Sequence, residues 1–195
     1  MKLFVFLGIV ATCFTTLEAN LGPCPEIHLP KWDDFDFLKT QTGIWYLTHM
    51  TNFEIGKDID ESVRCTDKVL EITNDYKSIN YVSMGFPLLK NVTYFNLTAN
   101  IEFNNKENKR NFTLNFLGEI SWKIGPIYIL EGDAKVYTLH WQCFILNNQR
   151  VENFLLYSRK ETIEQTVVDE VKKKLSTFVP KGTGTLAPIT RCAKP

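Results

Sequence analysis

Alternation with a period of two is the property that most constrains this chain. Phe95, Leu97, Ala99, Ile101 and Phe103 interleave with Tyr94, Asn96, Thr98, Asn100 and Glu102. Only an extended strand with one buried face puts every second side chain on the same side. The polar stretch Asn104 to Arg110 interrupts the pattern before Phe112, Leu114 and Phe116 resume it against Asn111, Thr113 and Asn115, which predicts a hairpin. Further runs of strand character cover Ile44 to Met50, Ser62 to Glu71, Ser78 to Met84, Pro126 to Leu130, Lys135 to Phe144 and Val151 to Ser158. Eight or nine short strands joined by short polar turns predict an all-β chain, either an antiparallel sandwich or an up-and-down barrel.

One segment has the other period. Ile163, Val167, Val168, Val171, Leu175 and Phe178 recur at helical spacing, with Glu164, Gln165, Glu170 and Lys172 to Lys174 on the remaining positions, so an amphipathic helix is predicted. Thr162 with Gln165 makes a capping box, and Pro180, Gly182 and Gly184 end the helix. A lone helix after an all-β run has to bury its apolar stripe on the outside of the sheet.

The first residues read as an address. Met1-Lys2 gives a short positive start, Leu3 to Phe14 is apolar, and Ala19 is the small residue expected before a cleavage point. The apolar run is too short to span a bilayer, which takes about 20 residues. A signal peptide over 1–19, a secreted product and a single domain over 20–195 are therefore expected, with no transmembrane segment. The chain carries no net charge, and losing Lys2 and Glu18 with the leader keeps that balance. Nothing electrostatic favours nucleic acid as a partner.

Cys13 leaves with the leader, and Cys24, Cys65, Cys143 and Cys192 remain. In an oxidising compartment an even set reads as two disulfides, but four cysteines allow three pairings and the sequence alone leaves them open. Three N-glycosylation sequons begin at Asn91, Asn96 and Asn111. Asn96 and Asn111 fall on the polar phase of their strands, where a glycan leaves the interior undisturbed, and Asn91 is expected in the turn before its strand.

No G-x-S-x-G, H-E-x-x-H or glycine-rich phosphate loop is present, so no enzyme activity is expected. The three histidines are His28, His49 and His140. A lone histidine can ligate haem iron, but a satisfied or rim-exposed histidine is the simpler reading, and no metal site is assigned.

Three short pieces occur in a telling order. Gly43-Ile44-Trp45-Tyr46 follows Asp34-Phe35-Asp36-Phe37; Gly132-Asp133-Ala134 comes next with Tyr137 and Cys143; Ser158-Arg159 then precedes the predicted helix. Together they resemble the lipocalins. Gly22-Pro23-Cys24-Pro25 with its spacing to Cys143 is most similar to the apolipoprotein D and insect bilin-binding branch. The resemblance spans nearly all of the chain after the leader, with Leu47 where the family commonly has glutamate and Gly132-Asp133-Ala134 where it has Thr-Asp-Tyr.

That resemblance implies an eight-stranded antiparallel up-and-down barrel with one C-terminal α-helix packed outside. It implies disulfides Cys24–Cys143 and Cys65–Cys192, and a barrel floor made from Gly43, Trp45, Asp133 and Arg159. The family's prostaglandin D synthase uses a free cysteine near the start of its barrel, and Ile44 to Met50 holds none. The implied function is carriage of a small hydrophobic ligand, a bilin pigment or a lipid, with no required cofactor and a biliverdin-type pigment as one bound group. The implied ligand set is His49, Phe95, Leu97, Phe112, Leu114, His140, Gln142, Asn153 and Tyr157. Tyr137, Leu139 and Trp141 form the apolar phase of their strand, yet alignment through Cys143 turns Thr138, His140 and Gln142 toward the interior instead. Two alternatives are a secreted recognition or antagonist protein acting through its outer surface, and a haem-binding salivary-type lipocalin. Oligomeric state is not legible.

Overall fold

The computed structural model describes residues 23–24, 27, 41–51, 67–73, 77–88, 91–104, 110–117, 122–146, 149–178 and 186–189. The strands among them are β1 (Gly43–Thr51), β2 (Asp67–Ile72), β3 (Ser78–Leu88), β4 (Asn91–Phe103), β5 (Asn111–Phe116), β6 (Trp122–Asp133), β7 (Tyr137–Leu146), β8 (Gln149–Ser158) and the short β9 (Leu186–Pro188). The helix α1 (Gln165–Phe178) lies between β8 and β9. Strands β2 to β8 pair antiparallel in chain order, and β1 pairs with both β8 and β2, so eight strands close into a barrel. Closure leaves no long edge with unpaired amides. Strand β1 meets β2 only over Gly43 to Tyr46, and β9 takes the rest of that edge opposite His49 to Thr51.

The wall has two faces and each supports its own core. Inside, Trp45, Leu47, Leu70, Ile72, Ile79, Ala99, Phe112, Leu114, Phe116, Ile127, Ile129, Leu155 and Tyr157 form one buried cluster. Outside, Leu130, Tyr137, Leu139, Trp141, Cys143, Phe154 and Leu156 form a second, which Val168 and Val171 of α1 cover. The helical stripe thus buries against the sheet as its periodicity predicts. Two fully buried valines alone contribute on the order of 3 to 6 kcal/mol at about 1.5 to 3 kcal/mol each. Glu131 ties the two layers: it accepts from the Tyr137 hydroxyl at 2.8 Å and pairs with Lys174 of α1. Burial first, and Glu131 second, raises Tyr137 above its ordinary pKa, so this donor keeps its proton at any physiological pH.

Register shifts punctuate the ladder and explain where the strands outrun the sequence pattern. Strand β6 extends from Trp122 to Asp133 rather than stopping at Pro126 and Leu130. A shift between Phe112 and Leu114 lets β6 carry an extra residue at Gly125 and Pro126 and keep pairing. Gly125 is needed there, because a Cβ would stand 2.7 Å from Thr113 Oγ1 and 3.0 Å from Thr113 Cα. The predicted hairpin around Asn104 to Arg110 is present, with Phe103 opposite Phe112. Asn91 is corrected: it is the first residue of β4, opposite Leu88, rather than part of the turn before the strand.

Candidate functional site

The three sequence pieces meet at one end of the barrel. Gly43 opens β1 with φ at 85°, a backbone state that side chains with a Cβ adopt at a cost. Trp45 is fully buried and donates its indole Nε1–H to the Gln41 carbonyl at 2.7 Å. The Arg159 guanidinium lies over that indole, 3.6 Å from the ring centroid. Its Nε donates to Ala134 O at 2.9 Å and its Nη1 to Ile44 O at 3.0 Å. Asp133 accepts from the Lys135 amide at 2.8 Å and shapes the β6–β7 turn that presents Ala134. Gly43, Trp45 and Arg159 thus meet at this end of the barrel, its floor, while exposed Asp133 holds the adjoining turn that Arg159 reaches through Ala134. Partial burial lowers the Arg159 pKa from its ordinary value, but guanidinium stays cationic at neutral pH.

Above the floor the interior is lopsided. Among the described side chains, the inward residues of β1, β2, β4, β5 and β6 in the buried cluster are apolar, with Leu97, Ile101 and Phe103 of β4 packed beside them. On β7 the inward positions Thr138, His140 and Gln142 are polar, and β8 adds Asn153 beside the inward Leu155 and Tyr157. His140 is 3% exposed, its ring 5.0 Å from that of Tyr157 and 6.3 Å edge-on from that of Phe112. Gln142 pairs with Asn153 across the two strands and with Ile127 of β6 on its other side. Thr138 stands opposite Tyr157, nearest the floor. All of these side chains are buried. At about 3.3 to 3.4 Å per residue the polar stripe from Thr138 to Gln142 is about 13 Å tall. Thr138 Oγ1 and Asn153 Oδ1, both enclosed, have no hydrogen-bond partner.

Of the sequence-predicted interior set, the structure brings Leu97, Phe112, Leu114, His140, Gln142, Asn153 and Tyr157 together. The Phe95 side chain lies outside the described part, as do those of Asn91 and Asn96. His49 is corrected. Leu47 faces in opposite Tyr157, but the register shifts before His49, which stands opposite Leu156 of the outer cluster. Thr48 is the extra residue; its hydroxyl donates to Leu156 O at 3.1 Å and lies 3.2 Å from His49 Nδ1. The imidazole is thus buried on the outer face of β1. Burial, and then the charge of Lys172 on α1, lower its pKa.

Cys24 is bonded to Cys143 with a Cα separation of 5.7 Å, anchoring the N-terminal arm to β7. Cys65 and Cys192 lie outside the described residues. Sequence reasoning missed Arg110, which is 1% exposed. Its Nε donates to Ile129 O at 2.8 Å and its Nη2 to Leu130 O, where β6 bulges between Ile129 and Glu131. At the end of a polar stretch it reads as a solvated charge, and no spacing signals the buried carbonyls it meets. Among the described residues no cluster of metal-ligating side chains occurs and no helix is long and apolar enough to cross a membrane.

Among solved structures, the chain is similar to apocrustacyanin C1, with TM-score 0.61 and 12% identity over 88% of this chain and 91% of that one. Insecticyanin from the tobacco hornworm Manduca sexta matches with TM-score 0.58 and 16% identity over 87% and 90%. LTBP1 in complex with LTC4 matches with TM-score 0.53 and 18% identity over 83% and 90%. The chain has the lipocalin fold. No family model matches it, and no curated protein matches it in sequence. Identities this low establish the architecture alone, so the lipocalin branch stays an inference from Cys24, Cys143 and the motif residues.

Proposed function

We propose that this protein is a secreted carrier that holds a small hydrophobic ligand inside the barrel and performs no chemistry on it. The observation that carries this reading is the lopsided interior: an apolar lining on most strands faces one wall bearing Thr138, His140, Gln142 and Asn153. Small-molecule sites combine an apolar surface with a few placed polar groups in the same way. Burial of the ligand would supply roughly 25 cal/mol per Å² of apolar surface removed from water, while the polar wall sets its orientation. Leu97, Phe112, Leu114, His140, Gln142, Asn153 and Tyr157 are the proposed contacts, with Phe95 as a further one. Gly43, Trp45 and Arg159 close the floor, and Asp133 holds the adjoining turn.

The reading includes removal of residues 1–19, a single domain over 20–195, a second disulfide Cys65–Cys192, and glycans at one or more of Asn91, Asn96 and Asn111. The Asn111 side chain is consistent with this, since its Oδ1 meets Asn104 on the exposed outer surface. A biliverdin-type pigment rests on the branch resemblance; a lipid is supported by the LTBP1 neighbour, which was solved with leukotriene C4. Native mass spectrometry of protein secreted from a eukaryotic host, before and after organic extraction, tests the carrier reading. A small-molecule mass shift lost on extraction is expected, and visible colour in the unextracted protein separates pigment from lipid. A single ligand-free mass that no added hydrophobic compound shifts would favour recognition through the outer surface instead.

A further inference from the structure

The chemistry of the polar wall narrows the ligand, on the footing that the barrel is a carrier. Asn153 is 5% exposed and Thr138 fully buried, and both face inward: Asn153 stands opposite Gln142, and Thr138 opposite Tyr157. Asn153 Oδ1 and Thr138 Oγ1 have no hydrogen-bond partner. An amide and a hydroxyl are neutral groups, and each is satisfied by another neutral group that both donates and accepts. A carboxylate offers only acceptors, so it would leave Asn153 Oδ1 unpaired and would itself need a cation or several donors once out of water. Of the buried cations, the Arg110 guanidinium is engaged with Ile129 O and Leu130 O. The Arg159 guanidinium is engaged with the Trp45 ring, Ala134 O and Ile44 O.

We propose that the barrel selects a neutral, hydroxyl-bearing hydrophobic ligand, a long-chain or polycyclic alcohol, over the carboxylate of the same skeleton, with a hydroxyl seated on Asn153 at one end of the β7–β8 wall or on Thr138 at the other. The apolar body then lies against Phe112, Leu114, Ile127 and Ile129. Two unpaired groups at different heights of the stripe, about 13 Å apart at the rise of a strand, also suit a molecule with hydroxyls at both ends.

The test uses one fluorescent skeleton, a conjugated C18 tetraene, as alcohol, acid and hydrocarbon, titrated into the delipidated full-length secreted protein at pH 7.4. The alcohol is expected to bind at least tenfold tighter than either of the others. In the Asn153→Leu, Thr138→Val double variant the three are expected to fall within threefold of one another, with hydrocarbon affinity unchanged or higher. Replacing unpaired buried polar atoms with apolar groups of similar shape is not expected to unfold the protein, and the wild-type ranking stands without the variant. An acid that binds within tenfold of the alcohol, or tighter, overturns the proposal while leaving the carrier reading intact. A hydrocarbon that does so overturns it equally, because the polar wall then contributes no selectivity. Failure of all three probes to saturate would take down the carrier reading and this proposal with it.

Discussion

Removing the Arg159 side chain should loosen the floor through its coupling to Trp45. The guanidinium stacks 3.6 Å from the indole centroid and donates to two backbone carbonyls on different strands and turns, Ala134 O and Ile44 O. A cation–π contact at a partly exposed site is worth about 1 kcal/mol. Each charge-assisted hydrogen bond adds about 1.5 kcal/mol, taken at the low end because Arg159 is half-exposed. Arg159→Ala should therefore cost about 2 to 4 kcal/mol. Arg159→Lys should recover less than half of that, since an ammonium lacks the planar fork that stacks and reaches both carbonyls at once. Trp45→Ala, which empties a fully buried indole site, should cost about 3 to 5 kcal/mol.

The stacking component is isolated by a double-mutant cycle. Urea unfolding followed by far-ultraviolet circular dichroism on wild type, Trp45→Ala, Arg159→Met and the double variant should show a coupling of about 1 kcal/mol. Arg159→Met keeps much of the apolar stem, so lost packing does not masquerade as lost charge. Additive effects within error would refute the stacking argument and leave Arg159 as a brace of the two carbonyls alone.

Three further outcomes test other parts of the structure. His49, buried against Thr48 and facing Lys172, has a lowered pKa in the folded state. The unfolded chain therefore takes up the proton first, and stability present above about pH 6.5 should decline as pH falls from there toward the folded value. Urea unfolding at pH 7.5 and 5.5 should show a smaller loss for His49→Gln than for wild type, and equal losses would refute the assignment. Gly125→Ala should destabilise by about 1 to 3 kcal/mol, because the new methyl meets the Thr113 backbone, which no rotamer change can clear; an unchanged thermal midpoint would contradict the close approach. Non-reducing peptide mapping should recover Cys24 joined to Cys143, as in the structure, and Cys65 joined to Cys192. A Cys65 peptide found free, or joined elsewhere, would refute the second pairing.

How much of this was legible depends on how many faces a strand buries. On β5 the alternation of Phe112, Leu114 and Phe116 with polar neighbours is sufficient, because only the inner face is covered and the apolar phase has one place to go. The contact of Gly43, Trp45 and Arg159 was expected only through the family resemblance of their short motifs, since nothing in the spacing of 43, 45 and 159 points to it. His49 was misplaced because one inserted residue, Thr48, inverts the side-chain phase without leaving any trace in composition. Arg110 was invisible because its partners are carbonyls, which every residue carries.

On β7 and β8 both faces are buried, and the alternation then decides nothing. Tyr137, Leu139 and Trp141 could fill the barrel or the outer layer, and periodicity favours neither. The choice is made by α1, more than twenty residues downstream of Trp141. Its Val168 and Val171 need an apolar surface, and the outward phase of β7 and β8 supplies one in Leu139, Trp141, Phe154 and Leu156. Thr138, His140, Gln142 and Asn153 are left facing in by elimination, where water cannot satisfy them. The polarity of the proposed ligand wall is in this sense a consequence of where the helix docks. A lipocalin-like barrel whose helix lay over β4 and β5 instead would have a different polar wall from the same alternating strands, which is why the ligand chemistry has to be read from the packed structure and not from any one strand.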